Sequence, residues 1–266
     1  MYLKYWALKR PPFQNLPDIE YFMETPKHRE ALVRLLYAVK GGKGLAMLTG
    51  EVGCGKTMLC FKLLEELKKD KYDSVVITNP TLPALDFLKQ IYEGIGGHPV
   101  PKTKREIIGA LTRYSESKHR EGREIVIVVD EAHLIIKRRG LYEEIRMLLN
   151  YQRHDRFLFT LLLVGQPELL SGITNIPQLR QRIAIKFHLD PLSQLETQNY
   201  ILHRLKVSGA ERELFTPAAI EEIYNQSNGI PRVINTVCDL SLLIAYGGQR
   251  ERVDRPDVNN IRELLV

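Results

Sequence analysis

The chain has 266 residues, and its 38 lysines and arginines against 32 aspartates and glutamates give it a formal net charge of +6. This length accommodates one large domain, or a domain with a small appendage, and 44% apolar residues suffice for a buried core. Composition therefore excludes a disordered chain, a collagen-like repeat and a disulfide-stabilised miniprotein. Three cysteines are too few for a disulfide framework or a metal cluster, which is typical of a reducing compartment.

No segment has the character of a membrane anchor. The longest apolar runs, residues 125–129 and 157–164, fall far short of the roughly 20 residues that cross a bilayer. The first residues also lack the apolar stretch of a signal peptide. We therefore expect no membrane span and a cytoplasmic protein.

In chain order, the first 26 residues are rich in proline and aromatic residues and predict an ordered, extended lead-in. Strand and helix patterns then alternate up to about residue 190, separated by glycine and proline. The predicted strands are residues 45–49, 74–78, 125–129, 157–164 and 183–189, and the predicted helices are residues 28–40, 56–67, 83–95, 107–119 and 141–151. This alternation predicts a parallel five-stranded sheet between helices, which is a three-layer α/β sandwich.

After residue 190 the pattern is helical only. Ser193 and Glu196 have the spacing of a capping box, and Thr216-Pro217 combines a helix cap with proline at the first helical position. The predicted helices start at residues 193, 216, 231 and 254. We predict an α/β domain over residues 1–190, which includes the lead-in, and a small all-helical lid domain over residues 191–266.

Residues 50–57 fit the phosphate-loop pattern G-x-x-x-x-G-K-[ST] in full. Glycines let successive backbone amides point at one phosphate group, and the following helix adds its positive N-terminal end. Lys56 would bind the β- and γ-phosphates, and the Thr57 hydroxyl would bind Mg²⁺. A chance glycine-rich turn is the alternative, but a strand precedes this motif and a helix follows it. The predicted nucleotide-binding residues are Gly50, Glu51, Val52, Gly53, Cys54, Gly55, Lys56, Thr57 and Met58.

Two carboxylates, Asp130 and Glu131, follow the β-branched strand at residues 125–129. Ligands of open α/β sheets bind at the carboxyl ends of the strands. Asp130 is the predicted Mg²⁺ ligand, and Glu131 is the predicted base that polarises or orients the attacking water. Taken alone, such a pair is more often a solvated helix cap. Together with the phosphate loop, it predicts a Mg²⁺-dependent nucleotide hydrolase rather than a kinase.

Further segments complete a wider pattern: Tyr5-Trp6, Pro12-Phe13 and Pro17-Asp18 in the lead-in, Leu48-Thr49-Gly50-Glu51-Val52-Gly53, Asp130-Glu131-Ala132-His133, Leu148-Leu149-Asn150, Val164-Gly165-Gln166-Pro167-Glu168-Leu169, Arg180-Gln181-Arg182-Ile183 and Gly229-Ile230-Pro231-Arg232-Val233-Ile234-Asn235. With these motifs the sequence resembles AAA+ ATPases, and among them the ExeA-like general secretion pathway protein A family. The resemblance covers nearly the whole chain, and it implies a P-loop NTPase fold.

The resemblance assigns further roles. It implies that Gln166 is a sensor 1 residue, which positions the lytic water, although a polar strand terminus is the alternative. It implies that Arg232 is a sensor 2 residue, which reaches the γ-phosphate, although a surface salt bridge is the alternative. An arginine finger, offered to the nucleotide of a neighbouring subunit, is placed at Arg180 or Arg182. Arg182 is slightly favoured, and the sequence does not choose between them.

The same resemblance suggests roles for two more groups of residues. Asn79 either holds Glu131 away from the water, as a glutamate switch does, or forms a simple Asn-Pro turn. Pro12, Phe13 and Pro17 either border the adenine or pack against the first helix. The three cysteines are interpreted as structural residues.

The resemblance implies a homo-oligomer, a ring or helical assembly that we expect to be hexameric, with nucleotide at the subunit interfaces. ATP hydrolysis would then assemble or remodel a protein complex of a secretion or type IV pilus system. The alternative is a DNA-associated AAA+ ATPase that resembles transposition-helper and replication-initiator ATPases. DNA is a candidate ligand because basic clusters occur at residues 102–105, 118–120 and 137–139, although acidic residues are interleaved nearby. A nucleotide-gated scaffold without catalysis is a third interpretation, which the presence of Glu131 disfavours.

Overall fold

The computed structural model describes residues 2–135, 138–153 and 156–263. The chain divides into two compact units. One, which we call the α/β unit, contains residues 26–50 and 59–189. The other, which we call the helical unit, contains the lead-in up to residue 25, residues 51–58 and the chain from residue 190 onward. The predicted domain boundary after residue 190 remains a prediction, and the lead-in groups with the C-terminal helices.

The α/β unit is built on a parallel five-stranded sheet. Its strands are β1 (Leu45–Gly50), β2 (Tyr72–Ile77), β3 (Glu124–Val129), β6 (Phe159–Gly165) and β7 (Ile183–Leu189), and β4 (Gln152–Arg153) and β5 (Arg156–Phe157) form a separate antiparallel pair. The order across the sheet is β2-β3-β6-β1-β7. The predicted number of strands and their parallel arrangement are confirmed.

The three central strands, β3, β6 and β1, lie in the middle of the sheet because their sequences are continuously apolar. Every residue of β1 and β6 is buried, and β3 is buried from Ile125 to Val129. In the register of the sheet Ile125 lies opposite Phe159, and Leu45 lies opposite Leu161. Strands that are apolar on both faces require cover on both faces, which the helices of an α/β fold supply.

The helices of the α/β unit are α1 (Pro26–Lys40), α2 (Lys56–Glu66), α3 (Ala84–Gly94), α4 (Lys104–Arg120), α5 (Arg139–Leu148), α6 (Glu168–Thr174) and α7 (Pro177–Arg180). The first three residues of α2 belong to the helical unit. Thr103 caps α4 with a capping box to Glu106, in which each residue's side chain accepts the other's backbone N–H. Helices α6 and α7 and the β4–β5 pair were not predicted from the sequence.

The helical unit contains α8 (Gln194–Val207), α9 (Pro217–Ser227), α10 (Pro231–Gly247) and α11 (Arg255–Asn259). The capping box predicted at the start of α8 is present, because Ser193 accepts the N–H of Glu196 at 3.3 Å and donates its own N–H to the Glu196 carboxylate at 2.8 Å. Asn228 ends α9 in the left-handed region, with φ of +48°. A 3-10 turn, Asn260–Glu263, continues α11 to the last described residue.

The lead-in packs within the helical unit. Trp6 is 1% exposed, and its indole Nε1 donates to the carbonyl of Leu242 at 3.2 Å. Phe13 is 3% exposed and meets the ring of Phe215 edge-to-face, with the centroids 6.0 Å apart. The ring that Phe13 meets therefore belongs to the helical unit and not to the first helix, the packing partner that the sequence offered.

A buried arginine fastens the lead-in to α8. Arg204 donates to the carbonyl of Pro12 at 2.5 Å and to the carbonyl of Gln14 at 3.0 Å. Its third hydrogen bond goes to the hydroxyl of Tyr200 at 2.8 Å, and its guanidinium lies over the ring of Tyr21. A guanidinium has no acceptor of its own, so a buried one requires oxygen partners, and the lead-in backbone supplies two of them.

Within the described part of the chain, no helix combines the length and the apolar character needed to cross a bilayer. The predicted cytoplasmic location remains a prediction.

Candidate active site

The phosphate-loop motif occupies the turn between β1 and α2. Gly50 is the last residue of β1 and pairs with Leu189, and Val52 in the turn is 49% exposed. Gly53 and Gly55 have φ of +85° and +92°, values that favour glycine. Such a backbone conformation lets a loop curl so that its amides can face one phosphate group at the start of the next helix, and the predicted phosphate binding remains a prediction.

Lys56 closes this loop on itself. Its side chain is buried, and Nζ donates to the backbone carbonyl of Glu51 at 2.8 Å. The same carbonyl accepts the N–H of Cys54 at 3.3 Å, while Thr57 and Met58 continue the first turn of α2. Burial raises the pKa of the Cys54 thiol, which therefore stays protonated near neutral pH. A protonated, buried thiol fits the structural role predicted for this cysteine.

The predicted sensor 2 arginine lies directly against the loop, inside the helical unit. Arg232 is the second residue of α10, and its N–H donates to the carbonyl of Gly53 at 3.3 Å. A Cβ on Gly53 would lie 2.7 Å from the Cβ of Arg232, so glycine is needed for this approach. Gly229, with φ of +74°, sets the turn before α10, since a Cβ there would lie 1.9 Å from the carbonyl oxygen of Leu192.

The predicted acidic pair follows β3. Asp130 is 7% exposed, and its N–H donates to the carbonyl of Ile77 at 2.9 Å, which extends the pairing of β2 with β3 by one residue. Its Oδ1 accepts the N–H of Glu131 at 2.9 Å. Glu131 has φ of +51°, and its side chain is 48% exposed. A left-handed glutamate is uncommon, and such backbone conformations concentrate at functional sites.

A histidine links Glu131 to Gln166. His133 lies in the 3-10 turn Ala132–Leu134, with Nδ1 3.4 Å from Oε2 of Glu131 and Nε2 3.2 Å from Nε2 of Gln166. Gln166 follows the end of β6, the neighbour of β3 in the sheet. Gly165 permits the approach, since a Cβ there would lie 3.1 Å from the backbone nitrogen of His133. The structure therefore brings together two predicted residues and one, His133, to which the sequence analysis gave no role.

Asn79 forms a local turn. Its Oδ1 accepts the N–H of Thr81 at 3.1 Å and the Thr81 hydroxyl at 2.5 Å. This is the turn that the sequence offered as one alternative. In the described part of the chain, the side chain found within ion-pair distance of the Glu131 carboxylate is His133.

The two candidate finger arginines differ in their surroundings. Arg180 ends α7 and is exposed. Arg182 is partly buried, and its Nη2 donates to Oδ1 of Asn150 at 2.6 Å. Its Nη1 is buried and has no hydrogen-bond partner among the described residues. The role of either arginine remains a prediction.

The donor chemistry fits a magnesium nucleotide. The hydroxyl of Thr57 and the carboxylate of Asp130 are the hard oxygen ligands that Mg²⁺ prefers, and Mg²⁺ commonly takes one or two protein ligands with phosphates and waters. Over residues 2–135, 138–153 and 156–263, no group of three or more histidines, cysteines or acidic residues is arranged to hold a metal alone. Phosphate oxygens and waters would supply the remaining ligands of a bound Mg²⁺.

Comparison with known proteins identifies the family. The model of the AAA domain family matches residues 39–172, which is half of the chain. The chain belongs to the AAA domain family. The predictions of the family and of the fold class are thereby confirmed, and the predicted enzyme class is confirmed at the level of the family, which consists of P-loop ATPases.

Two relatives and one solved structure extend this result. The chain is 32% identical over 265 residues to general secretion pathway protein A of Aeromonas hydrophila, covering 97% of this chain and 47% of that protein. It is 31% identical over 145 residues to an uncharacterized HTH-type transcriptional regulator of Methanocaldococcus jannaschii, covering 53% of this chain and 35% of that protein. The chain thus spans about half the length, or less, of these relatives. The structure of the Aeropyrum pernix ORC2 protein matches with a TM-score of 0.71 and 18% identity over 95% of this chain and 70% of that one, which shows the shared fold.

Proposed function

We propose that this protein is a Mg²⁺-dependent ATP hydrolase. The observation that carries the proposal is the carboxyl edge of three neighbouring parallel strands, β3, β6 and β1. The phosphate loop begins where β1 ends at Gly50, Asp130 and Glu131 follow β3, and Gln166 follows β6. Ligands bind at this edge of open α/β sheets. One edge therefore gathers the start of an anion cradle, two carboxylates and an amide.

The phosphate loop and the residues next to it would bind the nucleotide. The amides around Gly53 and Gly55 would hold the phosphates, and the Lys56 ammonium would exchange the carbonyl of Glu51 for phosphate oxygens. Arg232, seated against Gly53, would add a second cation. When bound, Mg²⁺ neutralises charge on the phosphates, and Thr57 with Asp130 would hold it.

The residues that follow β3 and β6 would carry out hydrolysis. The Glu131 carboxylate would orient the attacking water and accept its proton, while the water oxygen forms a bond to the γ-phosphorus and the bond to the leaving oxygen of ADP breaks. Its half-exposed side chain leaves the carboxylate accessible to that water. Gln166 would hold the water in line.

Oligomerisation would complete the site. An arginine offered in trans stabilises charge in the transition state, by about 10³–10⁵ in rate where this has been measured, and Arg182 or Arg180 is proposed to supply it. We therefore propose a homo-oligomer that forms a ring or a helix, with nucleotide at the subunit interfaces. We expect this oligomer to be a hexamer. The relative named general secretion pathway protein A supports a role in assembling or remodelling a secretion complex. A complex of a type IV pilus system is the other proposed target of this activity.

The test compares three forms of the protein for ATP turnover and for binding of a fluorescent ATP analogue, with and without Mg²⁺. The wild type should hydrolyse ATP only with Mg²⁺. Lys56→Ala should lose binding, and Glu131→Gln should keep binding but lose turnover by at least 100-fold, as on the order of 10²–10⁴ is typical for a general base. Equal, near-zero turnover of the wild type and Glu131→Gln would instead favour the non-catalytic scaffold.

DNA association is the second candidate, supported by the relative named as an HTH-type regulator. The described basic residues are partly neutralised within the chain, because Lys104 pairs with Glu144 and Lys118 pairs with Glu121, while Lys137 lies outside the described residues. Duplex DNA titrated at increasing salt separates the candidates. Steeply salt-dependent binding that raises ATP turnover several-fold would favour the DNA-associated ATPase.

A further inference from the structure

We propose that His133 is a positioning residue that couples Gln166 to the catalytic carboxylate of Glu131. This inference rests on the proposed ATP hydrolysis and adds a residue to its machinery. The imidazole stands between the two side chains, 3.4 Å from the carboxylate through Nδ1 and 3.2 Å from the Gln166 amide nitrogen through Nε2.

One tautomer of the ring serves these two contacts, at the expense of a longer third one, in which the backbone N–H of Gln166 lies 3.5 Å from Nδ1. With its proton on Nδ1, a neutral imidazole presents a donor to the Glu131 carboxylate and an acceptor at Nε2. The amide nitrogen of Gln166 then donates to Nε2. A single ring orientation therefore fixes two side chains that extend from different strands, β3 and β6, and such indirect partners commonly determine how a functional group is oriented.

The local structure gives Glu131 little other support. Its backbone is in the left-handed region and its side chain is half-exposed, so a free carboxylate would sample several rotamers. Asn79, the other side chain considered for this position, is engaged with Thr81 in its own turn. Gly165 leaves the space in which the backbone of His133 approaches β6. These observations point to the histidine as the side chain that orients the carboxylate.

Positioning predicts a defined kinetic signature. Because His133 would not touch ATP, His133→Ala should lower kcat at least tenfold while KM and analogue binding change less than twofold. Glutamine carries both an N–H donor and a carbonyl acceptor, so His133→Gln should keep kcat within about threefold of the wild type. Since His133 and Gln166 act as one unit, the double variant His133→Ala/Gln166→Ala should be no slower than the slower single variant.

The experiment measures kcat, KM, analogue binding and thermal unfolding for these variants alongside the wild type and Glu131→Gln. A wild-type kcat for His133→Ala, a His133→Gln variant as slow as His133→Ala, or losses that multiply in the double variant would each overturn the coupling. If His133→Ala does not fold, His133→Gln and Gln166→Ala supply the test, and a His133→Gln variant as slow as Gln166→Ala refutes the inference. Absence of turnover in the wild type would instead refute the proposed hydrolase.

Discussion

The contact between Gly53 and Arg232 offers a sharp test of how the phosphate loop is built. A Cβ added at Gly53 would lie 2.7 Å from the Cβ of Arg232 and 3.1 Å from Cγ2 of Ile230. Ordinary contact begins at 3.4 Å, so Gly53→Ala requires the loop and the start of α10 to separate by about 0.7 Å. Loop amides displaced by this distance would lose good hydrogen-bond geometry to a bound phosphate, and hydrogen bonds to charged groups are worth about 1.5–3 kcal/mol each. We therefore expect ATP affinity to fall at least tenfold.

The cost in stability has two parts. Alanine with φ of +85° carries the left-handed penalty of about 1–2 kcal/mol, and inserting a methyl group into packed surroundings adds about 1–3 kcal/mol. Gly53→Ala should therefore lower the free energy of unfolding by about 2–5 kcal/mol, summed from those two ranges. Gly122 provides the matched control, because its φ is +75° and a Cβ there would meet nothing within 4 Å.

Chemical denaturation and titration with a fluorescent ATP analogue measure the two effects. Gly122→Ala should lose only the backbone penalty, about 1–2 kcal/mol, and should bind the analogue like the wild type. The reasoning fails if Gly53→Ala is no less stable than Gly122→Ala and binds the nucleotide with unchanged affinity, because the loop would then not depend on its contact with Arg232.

Two further predictions concern arginines. Arg182→Ala should lower ATP turnover at least tenfold without changing the affinity for the analogue, and only at protein concentrations that allow oligomers to form. Arg180→Ala is the comparison, and if it alone shows this loss, the finger is Arg180. If neither variant shows it, no arginine acts in trans in this protein. Arg204→Met should lower the free energy of unfolding by about 2–6 kcal/mol, because the buried oxygens of Pro12 and Tyr200 lose their donor and each costs about 1–3 kcal/mol. In the same denaturation experiment, the exposed control Arg252→Met should change the free energy of unfolding by no more than about 0.5 kcal/mol. Equal effects of the two substitutions would contradict the anchoring role of Arg204.

The central sheet was predictable because its strands carry strong local signals. The β-branched run at residues 125–129 is buried throughout in β3, and residues 183–189 form β7 with the predicted bounds. The strand predicted at 157–164 begins two residues later in the structure, because Phe157 pairs with Gln152 of β4 instead. Helices α6 and α7 have seven and four residues, which is too short for a helical period to appear in the sequence.

Contacts between distant residues were beyond a single sequence. The extended lead-in was predicted as ordered, but its attachment to α8 depends on Arg204, which reads as an ordinary charged residue of an amphipathic helix. The link from Glu131 to Gln166 crosses from one strand end to another through His133, which lies 33 residues before Gln166. Its one signal in the sequence was position, since His133 follows the acidic pair by two residues, and position alone did not indicate which atoms the imidazole would meet.

Each unit contains contacts that hold its own share of the proposed chemistry together. In the helical unit, the loop is held by Lys56 on the carbonyl of Glu51 and by Arg232 on the carbonyl of Gly53. In the α/β unit, Glu131 and Gln166 share His133. Because neither set of contacts depends on the other, substitutions in the first set should change nucleotide affinity, and substitutions in the second should change turnover at constant affinity. A His133 variant that lost nucleotide affinity as severely as Gly53→Ala would show that this separation is wrong.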